Sequence, residues 1–296
     1  MSRLIESILI PTDGSEGALA GAKYGIALAS RTGADVHVLT IVDARHVPAD
    51  AETVLAELEA DAEEAVEAVA SMVEAADADT EVVTAVERGT PFQSIREYAH
   101  RREIDVIAMG TKGRTGIDRI LLGSVTENVL RTARTPVLAV PPNAPVSDAA
   151  GVTFERLLLP TDGSEGAAIA TDWGIALATH LDAMVHVMSA VDTSPFPGGR
   201  EPDALREELE RRGEAAIETV RERAEEAAVG VSDSVETGDP VTAITAAASD
   251  YGADLIVMGT HGQTGVGQWF LGSVTENVVG QADVPVFCVP VAAESP

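Results

Sequence analysis

Short apolar runs alternate with longer amphipathic stretches along the whole chain. In the first half, runs rich in Val, Ile and Leu are bounded by turn residues, as is typical of strands, and the stretches between them carry apolar residues at helical spacing. The predicted strands are 6–10, 35–42, 80–86, 104–109 and 136–140. The predicted helices are 16–31, 50–76, 91–101 and 124–133. Because the strands are apolar throughout, the pattern predicts an α/β fold with a doubly wound, five-stranded parallel sheet.

The same pattern occurs twice. The segment ILIPTDGSEGALA near the start returns as LLLPTDGSEGAAIA, and MGTKGRTGIDRILLGSVTENV returns as MGTHGQTGVGQWFLGSVTENV. Equivalent residues are 149 positions apart throughout, as Asp13 and Asp162 illustrate. A constant offset through the variable middle indicates a tandem duplication. The expected division is a first domain at 1–142, a linker rich in small residues at 143–153, and a second domain at 154–292.

The composition is strongly acidic. The chain has 296 residues, with 48 Asp plus Glu against 20 Lys plus Arg, and a formal net charge of −28. Binding to nucleic acid or to an anionic membrane needs clustered cations that displace counterions, so neither is expected as a partner. Only two of the basic residues are lysines, Lys23 and Lys112. This excess of acid with scarce lysine resembles proteins of salt-loving archaea, whose salty cytoplasm screens the self-repulsion.

Location and metal chemistry can also be predicted. No apolar run approaches the roughly 18 residues of a spanning helix, and the first residues lack the pattern of a secretory signal, so we expect a cytoplasmic protein. The one cysteine, Cys288, lies in the run VPVFCVP and is expected to be buried in a strand. A single cysteine excludes an internal disulfide and a cysteine-based metal cluster. The histidines lack metal-ligand spacing, and we interpret His37 and His186 as satisfied core or rim groups.

The candidate site lies in two loops. In open parallel sheets, ligands bind beyond the carboxyl ends of the strands, where the strand order reverses, which here means after strands one and four. The first loop reads PTDGSE and begins at Pro11. The second reads GTKG and begins at Gly110, and Gly123 follows at the start of a helix. Glycines let the backbone approach a phosphate and present successive N–H groups, and a helix N-terminus favours an anion.

Both loops also have a purely structural interpretation. Asp13, followed three residues later by Glu16, has the spacing of a capping box, and Ser124 with Glu127 has the same spacing. Capping does not exclude ligand binding, because a carboxylate at a strand end can also accept hydrogen bonds from a ribose hydroxyl or an adenine amino group. The two commonest phosphate motifs, GxxxxGK[ST] and GxGxxG, do not occur in the sequence.

The glycine spacing carries a family resemblance. Gly-x2-Gly-x9-Gly-Ser/Thr is matched in full by Gly110, Gly113, Gly123 and Ser124, and again by Gly259, Gly262, Gly272 and Ser273. In this the chain resembles a tandem universal stress protein of the UspA type. The resemblance implies two adenine-nucleotide α-hydrolase-like domains of strand order 3-2-1-4-5, ATP at the switch point and a role in stress regulation. It also implies that the two halves form an intramolecular pseudo-dimer through their last strands, with a homodimer as a further possibility.

The resemblance implies one ATP site in each half, with Mg²⁺ arriving on the phosphates. In the first half the adenine and ribose side is implied for Pro11, Thr12, Asp13 and Val42, the strand-four side for Met109, Gly110, Lys112 and Gly113, and the phosphates for Gly123, Ser124, Val125 and Thr126. In the second half the same roles fall to Pro160, Thr161, Asp162, Val191, Met258, Gly259, His261, Gly262, Gly272, Ser273, Val274 and Thr275.

The two halves differ in charge beside the implied phosphates. Three cations of the first half are replaced in the second: Lys112 by His261, Arg114 by Gln263, and Arg119 by Gln268. If each cation–phosphate contact contributes roughly 0.5–2 kcal/mol, we expect the first site to bind ATP about ten-fold more tightly. The neighbouring pair Trp269 and Phe270 is interpreted as local packing rather than base stacking.

Three classes of function remain open on the sequence. The leading hypothesis is a nucleotide-binding regulatory protein, which is not an enzyme or at most hydrolyses ATP weakly. The second is a slow ATPase or phosphotransferase built on the same sites, for which no catalytic residue can be identified. The third is an interaction module that no longer binds nucleotide, and the intact glycines in both copies argue against it.

Overall fold

The computed structural model describes residues 4–46, 51–77, 80–113, 122–144, 148–192, 203–262, 271–293 and 296. The chain divides into two compact units, Met1–Val152 and Thr153–Pro296. Within these described ranges, no helix is long and apolar enough to cross a membrane.

The first unit is a five-stranded parallel sheet with four α-helices. The strands are β1 (Ser7–Pro11), β2 (Asp35–Val42), β3 (Val82–Arg88), β4 (Val106–Gly110) and β5 (Val137–Val140). The helices are α1 (Glu16–Thr32), α2 (Glu52–Ala76), α3 (Pro91–Arg101) and α4 (Ser124–Thr132). The strand order is β3-β2-β1-β4-β5. The predicted fold class and order are confirmed, and the predicted bounds differ from these by at most two residues.

The second unit repeats this architecture. Its strands are β6 (Arg156–Pro160), β7 (Met184–Val191), β8 (Val231–Thr237), β9 (Leu255–Gly259) and β10 (Val286–Val289). Its helices are α5 (Glu165–Leu181), α6 (Asp203–Glu226), α7 (Pro240–Tyr251) and α8 (Ser273–Gln281). The strand order, β8-β7-β6-β9-β10, is the order of the first unit at the equivalent positions.

Burial of the central strands makes the core. The apolar residues of β1 and β4 are almost fully buried, as the prediction of a sheet covered on both faces requires. Helices α1 and α2 pack together on one face of the first sheet, and α3 and α4 pack together on the other; α5 with α6, and α7 with α8, repeat this arrangement. Cys288 is buried in β10, as predicted, and burial raises the pKa of its thiol.

Helix α1 approaches the sheet through glycines. A Cβ on Gly21 would lie 2.4 Å from the backbone nitrogen of Gly110, and a Cβ on Gly110 would lie 2.0 Å from the carbonyl oxygen of Gly17. Real Cβ atoms do not come this close to backbone, so the contact requires residues without a side chain. Backbone contact brings the N-terminus of α1 directly against the carboxyl end of β4, where the candidate site lies.

Candidate functional site

The loop after β1 is fixed to the neighbouring strand. The backbone N–H of Thr12 donates to the carbonyl oxygen of Leu39 at 2.9 Å, and the Thr40 hydroxyl donates to the carbonyl oxygen of Thr12 at 2.9 Å. The Thr12 side chain is buried, and its hydroxyl oxygen accepts from the N–H of Gly14 at 3.1 Å. These bonds fix the backbone between β1 and α1.

Helix α1 is capped by Ser15, so the prediction that Asp13 caps it with Glu16 as partner is wrong. The Ser15 hydroxyl oxygen accepts from the N–H of Ala18 at 3.2 Å. Asp13 lies two residues earlier, and its Oδ1 accepts from the Ser15 N–H at 3.0 Å and from the Ser15 hydroxyl at 2.5 Å. Ser164 caps α5 in the same way. The carboxylate therefore supports the capping residue from the loop instead of capping the helix itself.

The loops after β1 and β4 meet at this carboxylate. A Cβ on Gly113 would lie 3.1 Å from Oδ2 of Asp13, and in the second half a Cβ on Gly262 would lie 2.8 Å from Oδ2 of Asp162. The meeting of the two loops agrees with the switch-point argument. A Cβ on Gly17 would lie 1.9 Å from the carbonyl oxygen of Lys112, so the first turn of α1 also contacts the second loop.

The start of α4 is tied to the end of β4. The N–H of Gly123 donates to the carbonyl oxygen of Thr111 at 2.8 Å, and the buried Thr126 hydroxyl donates to the carbonyl oxygen of Gly110 at 2.8 Å. A Cβ on Gly123 would lie 3.2 Å from the same Thr111 oxygen. The glycine spacing predicted a close backbone approach here, and the hydroxyl of Thr126, a residue implied for the phosphates, secures it.

The predicted capping box at the start of α4 is also wrong. The N-cap is Gly123, which has no side chain to donate or accept, and Ser124 is the first helical residue. Glu127 instead forms an ion pair with Arg131 at 2.8 Å, one turn along the helix. Helix α8 begins in the same way, at Gly272. Within the described residues, the first-turn N–H groups of both helices thus have no side-chain cap, and they carry the positive end of the helix dipole.

The remaining predicted residues lie at the same ends of the strands. Val42 is buried, and its carbonyl oxygen accepts from the N–H of Gly89 at 3.1 Å; the carbonyl oxygen of Val191 accepts from Gly238 at 2.9 Å. A carbonyl oxygen has two lone pairs, so each of these oxygens can accept one more hydrogen bond. The other residues of the two implied sites also lie in the described part of the chain, at the carboxyl ends of the first and fourth strands of each unit or in the first turns of α4 and α8. They are Pro11, Met109, Val125, Pro160, Thr161, Met258, Ser273, Val274 and Thr275.

The second half places a histidine where the first has a lysine. Nδ1 of His261 lies 2.9 Å from the Thr260 hydroxyl oxygen. Its Nε2 is buried and has no hydrogen-bond partner among the described residues. The other predicted differences lie outside the described ranges: Arg114, Arg119, Gln263, Gln268, Trp269 and Phe270.

The family model, the sequence relatives and the solved structure given below are all universal stress proteins. The sequence model of the Universal stress protein family matches residues 5–141 and 153–290. A universal stress protein of Methanocaldococcus jannaschii is 38% identical over 142 residues, covering 46% of this chain and 82% of that protein. One of Thermus aquaticus is 37% identical over 137 residues, covering 46% and 98%. The crystal structure of a universal stress protein from Archaeoglobus fulgidus matches with a TM-score of 0.73 at 26% identity, covering 96% of this chain and 98% of that one.

Proposed function

The chain belongs to the universal stress protein family, and on that premise we propose that each half binds one ATP molecule and that the protein acts in a stress response as a nucleotide-dependent regulator in the cytoplasm. The observation that carries the proposal is the meeting of a glycine-lined loop, a strand-end carboxylate and a helix N-terminus without a side-chain cap. This combination occurs twice in the chain, and the threonine at the start of the helix makes the equivalent hydrogen bond in both halves, Thr126 to Gly110 and Thr275 to Gly259.

The nucleoside would occupy the β1 and β2 side. Asp13 is held by Ser15 at the strand end, and a carboxylate there can accept hydrogen bonds from ribose hydroxyls. Pro11, Thr12 and the backbone of Val42 would line the base. In the second half, Pro160, Thr161, Asp162 and Val191 would do the same.

The phosphates would lie against the first turn of α4. The uncapped N–H groups of Ser124, Val125 and Thr126 and the dipole of the helix favour an anion. Lys112 would add a charged contact from the loop. Mg²⁺ prefers phosphate oxygens and water to an all-protein cage, so we expect it to arrive with the triphosphate.

We propose unequal affinities in the two halves. The first half places a lysine ammonium, a compact cation, in this loop, whereas the equivalent residue of the second half is the imidazole of His261. The buried Nε2 of His261 could still exchange one hydrogen bond with a phosphate or ribose oxygen. We expect the first half to bind ATP about ten-fold more tightly, which corresponds to about 1.4 kcal/mol.

A regulatory role fits the groups at the site better than catalysis. Phosphoryl transfer needs a base or water-orienting group beside the γ-phosphate, and the proposed place of Asp13 is at the nucleoside end. The slow ATPase and the module without nucleotide remain the alternatives. Phosphate release under saturating ATP distinguishes the ATPase from the regulator. The oligomeric state of the chain and the proposed pseudo-dimer can be addressed by sedimentation with and without ATP.

The test is calorimetric titration of nucleotide-stripped protein with Mg-ATP in molar KCl. Two sites per chain are expected, with different affinities. Ser124→Glu places a carboxylate where the phosphates would bind. Ser124 is exposed, and a carboxylate at a helix N-terminus interacts favourably with the helix dipole, so the variant should fold. It should bind one ATP per chain. Ser273→Glu should remove the other, weaker site.

A matched control carries the same change of charge elsewhere. Ser71 is exposed in α2, and Ser71→Glu should leave both sites intact. Two unchanged ATP sites in the folded Ser124→Glu, Ser273→Glu double variant would place the nucleotide elsewhere. No ATP binding by the folded, stripped wild-type chain would favour the interaction module.

A further inference from the structure

The second half contains a groove at the outer edge of its sheet, and one end of the groove adjoins the proposed nucleotide site, because the lining residue Gly238 donates to the carbonyl oxygen of Val191. It has a volume of about 510 Å³ and runs between helix α7 and strand β8. The described residues that carry the argument are His186, Glu236, Asp239, Ala246, Ala247, Asp250 and Tyr251. It lies on the α7 face of the sheet, opposite helix α6.

A single aromatic side chain occupies the equivalent place in the first half. Tyr98 is 1% exposed, its ring lies edge-on to His37, and its hydroxyl is 3.0 Å from Nδ1 of that histidine. The residue 149 positions later is Ala247, which has no ring, and Tyr251, one turn further along the helix, stacks on the histidine instead. The neighbouring Glu97 is likewise replaced by Ala246. The loss of large side chains from this face of the helix accounts for the groove.

The histidine keeps its hydrogen bonds in spite of this change. In the second half, His186 lies 2.9 Å from the hydroxyl of Ser232 and 3.1 Å from that of Ser234, both on β8. The ring of Tyr251 stacks on it with a centroid distance of 4.9 Å. These contacts hold His186 and Tyr251 in place, so one wall of the groove is polar and aromatic.

The charge along the helix is inverted between the halves. In the first half, the guanidinium groups of Arg101 and Arg102 lie 5.3 and 5.7 Å from the centre of the Tyr98 ring. The equivalent residues of the second half are Asp250 and Tyr251. The described lining contains three carboxylates and neither lysine nor arginine. A groove of this kind attracts cations and repels anions.

The carboxylates stand at the two ends of an apolar floor. Asp239 caps the start of α7, where hydrogen bonds from Thr242 lower its pKa and keep it ionised, and Asp250 lies in the last turn. Eleven residues at about 1.5 Å each separate them by about 16 Å along the helix. Ala246 and Ala247 lie between them on the face that lines the groove.

We propose that this groove binds a linear aliphatic polyamine. Its terminal ammonium groups would pair with the carboxylates at the two ends, and its methylene segments would lie on the alanine floor. The proposal does not rest on the proposed nucleotide function, because none of the residues assigned to ATP lines the groove.

The probe is spermine, whose extended length suits the separation of the acidic ends. Nucleotide-stripped full-length protein is used, because ATP itself complexes polyamines. We expect saturable binding of one spermine per chain by calorimetry at the lowest KCl concentration at which circular dichroism shows the protein folded, because salt screens ion pairs. We also expect shifts of the Ala246 and Ala247 methyl resonances in spectra of alanine-labelled protein. Ala247→Tyr restores the side chain of the first half without changing the net charge, and should weaken binding at least ten-fold.

Charge variants separate this site from general attraction to an acidic protein. Asp250→Asn should weaken binding several-fold. Glu222→Gln makes the same change of charge at an exposed position on α6, across the sheet, and should leave binding within two-fold. If Ala247→Tyr does not fold, the Asp250→Asn, Glu236→Gln pair takes its place.

Three results would overturn the proposal. One is equal spermine binding by wild type and by the folded groove variants. Another is a Glu222→Gln effect as large as that of Asp250→Asn. The third is uptake that never saturates or leaves the alanine methyl resonances unmoved, because spermine would then be a diffuse counterion of the surface.

Discussion

The two halves agree at the proposed nucleotide loops and differ at the sheet edge. The hydrogen bonds from Thr126 to Gly110 and from Thr275 to Gly259 both measure 2.8 Å. By contrast, the equivalent histidines of β2 and β7 bond to a tyrosine on α3 in one half and to two serines on β8 in the other. Close backbone contacts therefore limit which side chains fit at the centre of each sheet. At the sheet edge, a different set of side chains can satisfy the same histidine.

Substitution of a central glycine should have the largest effect. In Gly110→Ala the new Cβ would meet the carbonyl oxygen of Gly17 at 2.0 Å, so we expect a loss of at least about 3 kcal/mol of unfolding free energy in the first half. Gly259→Ala should cost less, because its Cβ would lie 2.6 Å from the equivalent oxygen. Urea denaturation followed by circular dichroism measures both.

A control for the glycine experiment lies at the surface. A Cβ on Gly230 would meet only the flexible side chain of Met184, at 3.7 Å. Gly230→Ala should therefore unfold like the wild type. A Gly110→Ala variant as stable as Gly230→Ala would contradict the close contact between α1 and β4.

Removal of the edge tyrosine should have the next largest effect. Tyr98→Ala deletes a buried ring and leaves Nδ1 of His37 without its partner, so a loss of about 3–5 kcal/mol is expected. Adding Val83→Ser, which introduces the serine that the second half has as Ser232, should recover part of the loss. A double-mutant cycle in urea measures the recovery. Strict additivity of the two changes would mean that the serine does not replace the tyrosine hydroxyl.

Acidification should produce a smaller loss of stability. Burial lowers the pKa of His37 and of His186 below the ordinary value of 6.5. At pH values between the lowered pKa and 6.5 the unfolded chain holds more protons than the folded one. The unfolding free energy should therefore be unaffected by these groups above about pH 7 and should fall as pH decreases through about 6.5.

The pH dependence should differ between the halves. After burial, the strongest influence on His37 is the Arg102 cation, which lowers the pKa further, although Asp35 and Glu81 oppose it. For His186, burial lowers the pKa, and Asp233 and Glu236 oppose that shift. The effect of His37→Gln on the pH dependence of stability should exceed that of His186→Gln. Urea denaturation across this pH range measures both effects. A larger effect of His186→Gln than of His37→Gln would contradict the stronger influence of burial and Arg102 on His37.

The smallest expected effect concerns the end of the first helix in each half. The residue after the last helical residue of α1 is Gly33, with φ 69°, and the one after α5 is Asp182, with φ 55°. Both residues adopt the left-handed conformation, which suits glycine better than aspartate. Asp182→Gly should stabilise the second half by about 0.5–1 kcal/mol, and Gly33→Asp should destabilise the first half by a similar amount. Calorimetric melting measures both, and effects of the same sign would be inconsistent with this account.

Much of the architecture could be predicted from the sequence. The apolar runs and the constant offset were sufficient for the element bounds and for the duplication, because buried parallel strands leave few alternatives. The meeting of the two loops followed from the position of strand ends in a parallel sheet. The roles of individual residues in ATP binding stay predictions that rest on the family resemblance.

Other features depend on distances that spacing does not encode. Asp13 and Ser15 are both good capping residues, and only the backbone path after β1 decides that Ser15 caps the helix. At α4 the cap fell on Gly123, one residue before the serine that the spacing favoured. The edge groove needs Ala247 and Tyr251 to face His186 across two elements, which periodicity along one helix cannot predict.

The glycine contact between α1 and β4 has a consequence for mutational tolerance. Most changes at Gly17, Gly21 or Gly110 would add atoms where another backbone already lies, and we expect them to be destabilising. The second half has Ala170 in place of Gly21, so one of these three positions differs between the halves. After a gene duplication, substitutions would therefore accumulate more readily at the edge strands of the sheet than at this glycine contact, and new binding surfaces would arise at the edges first.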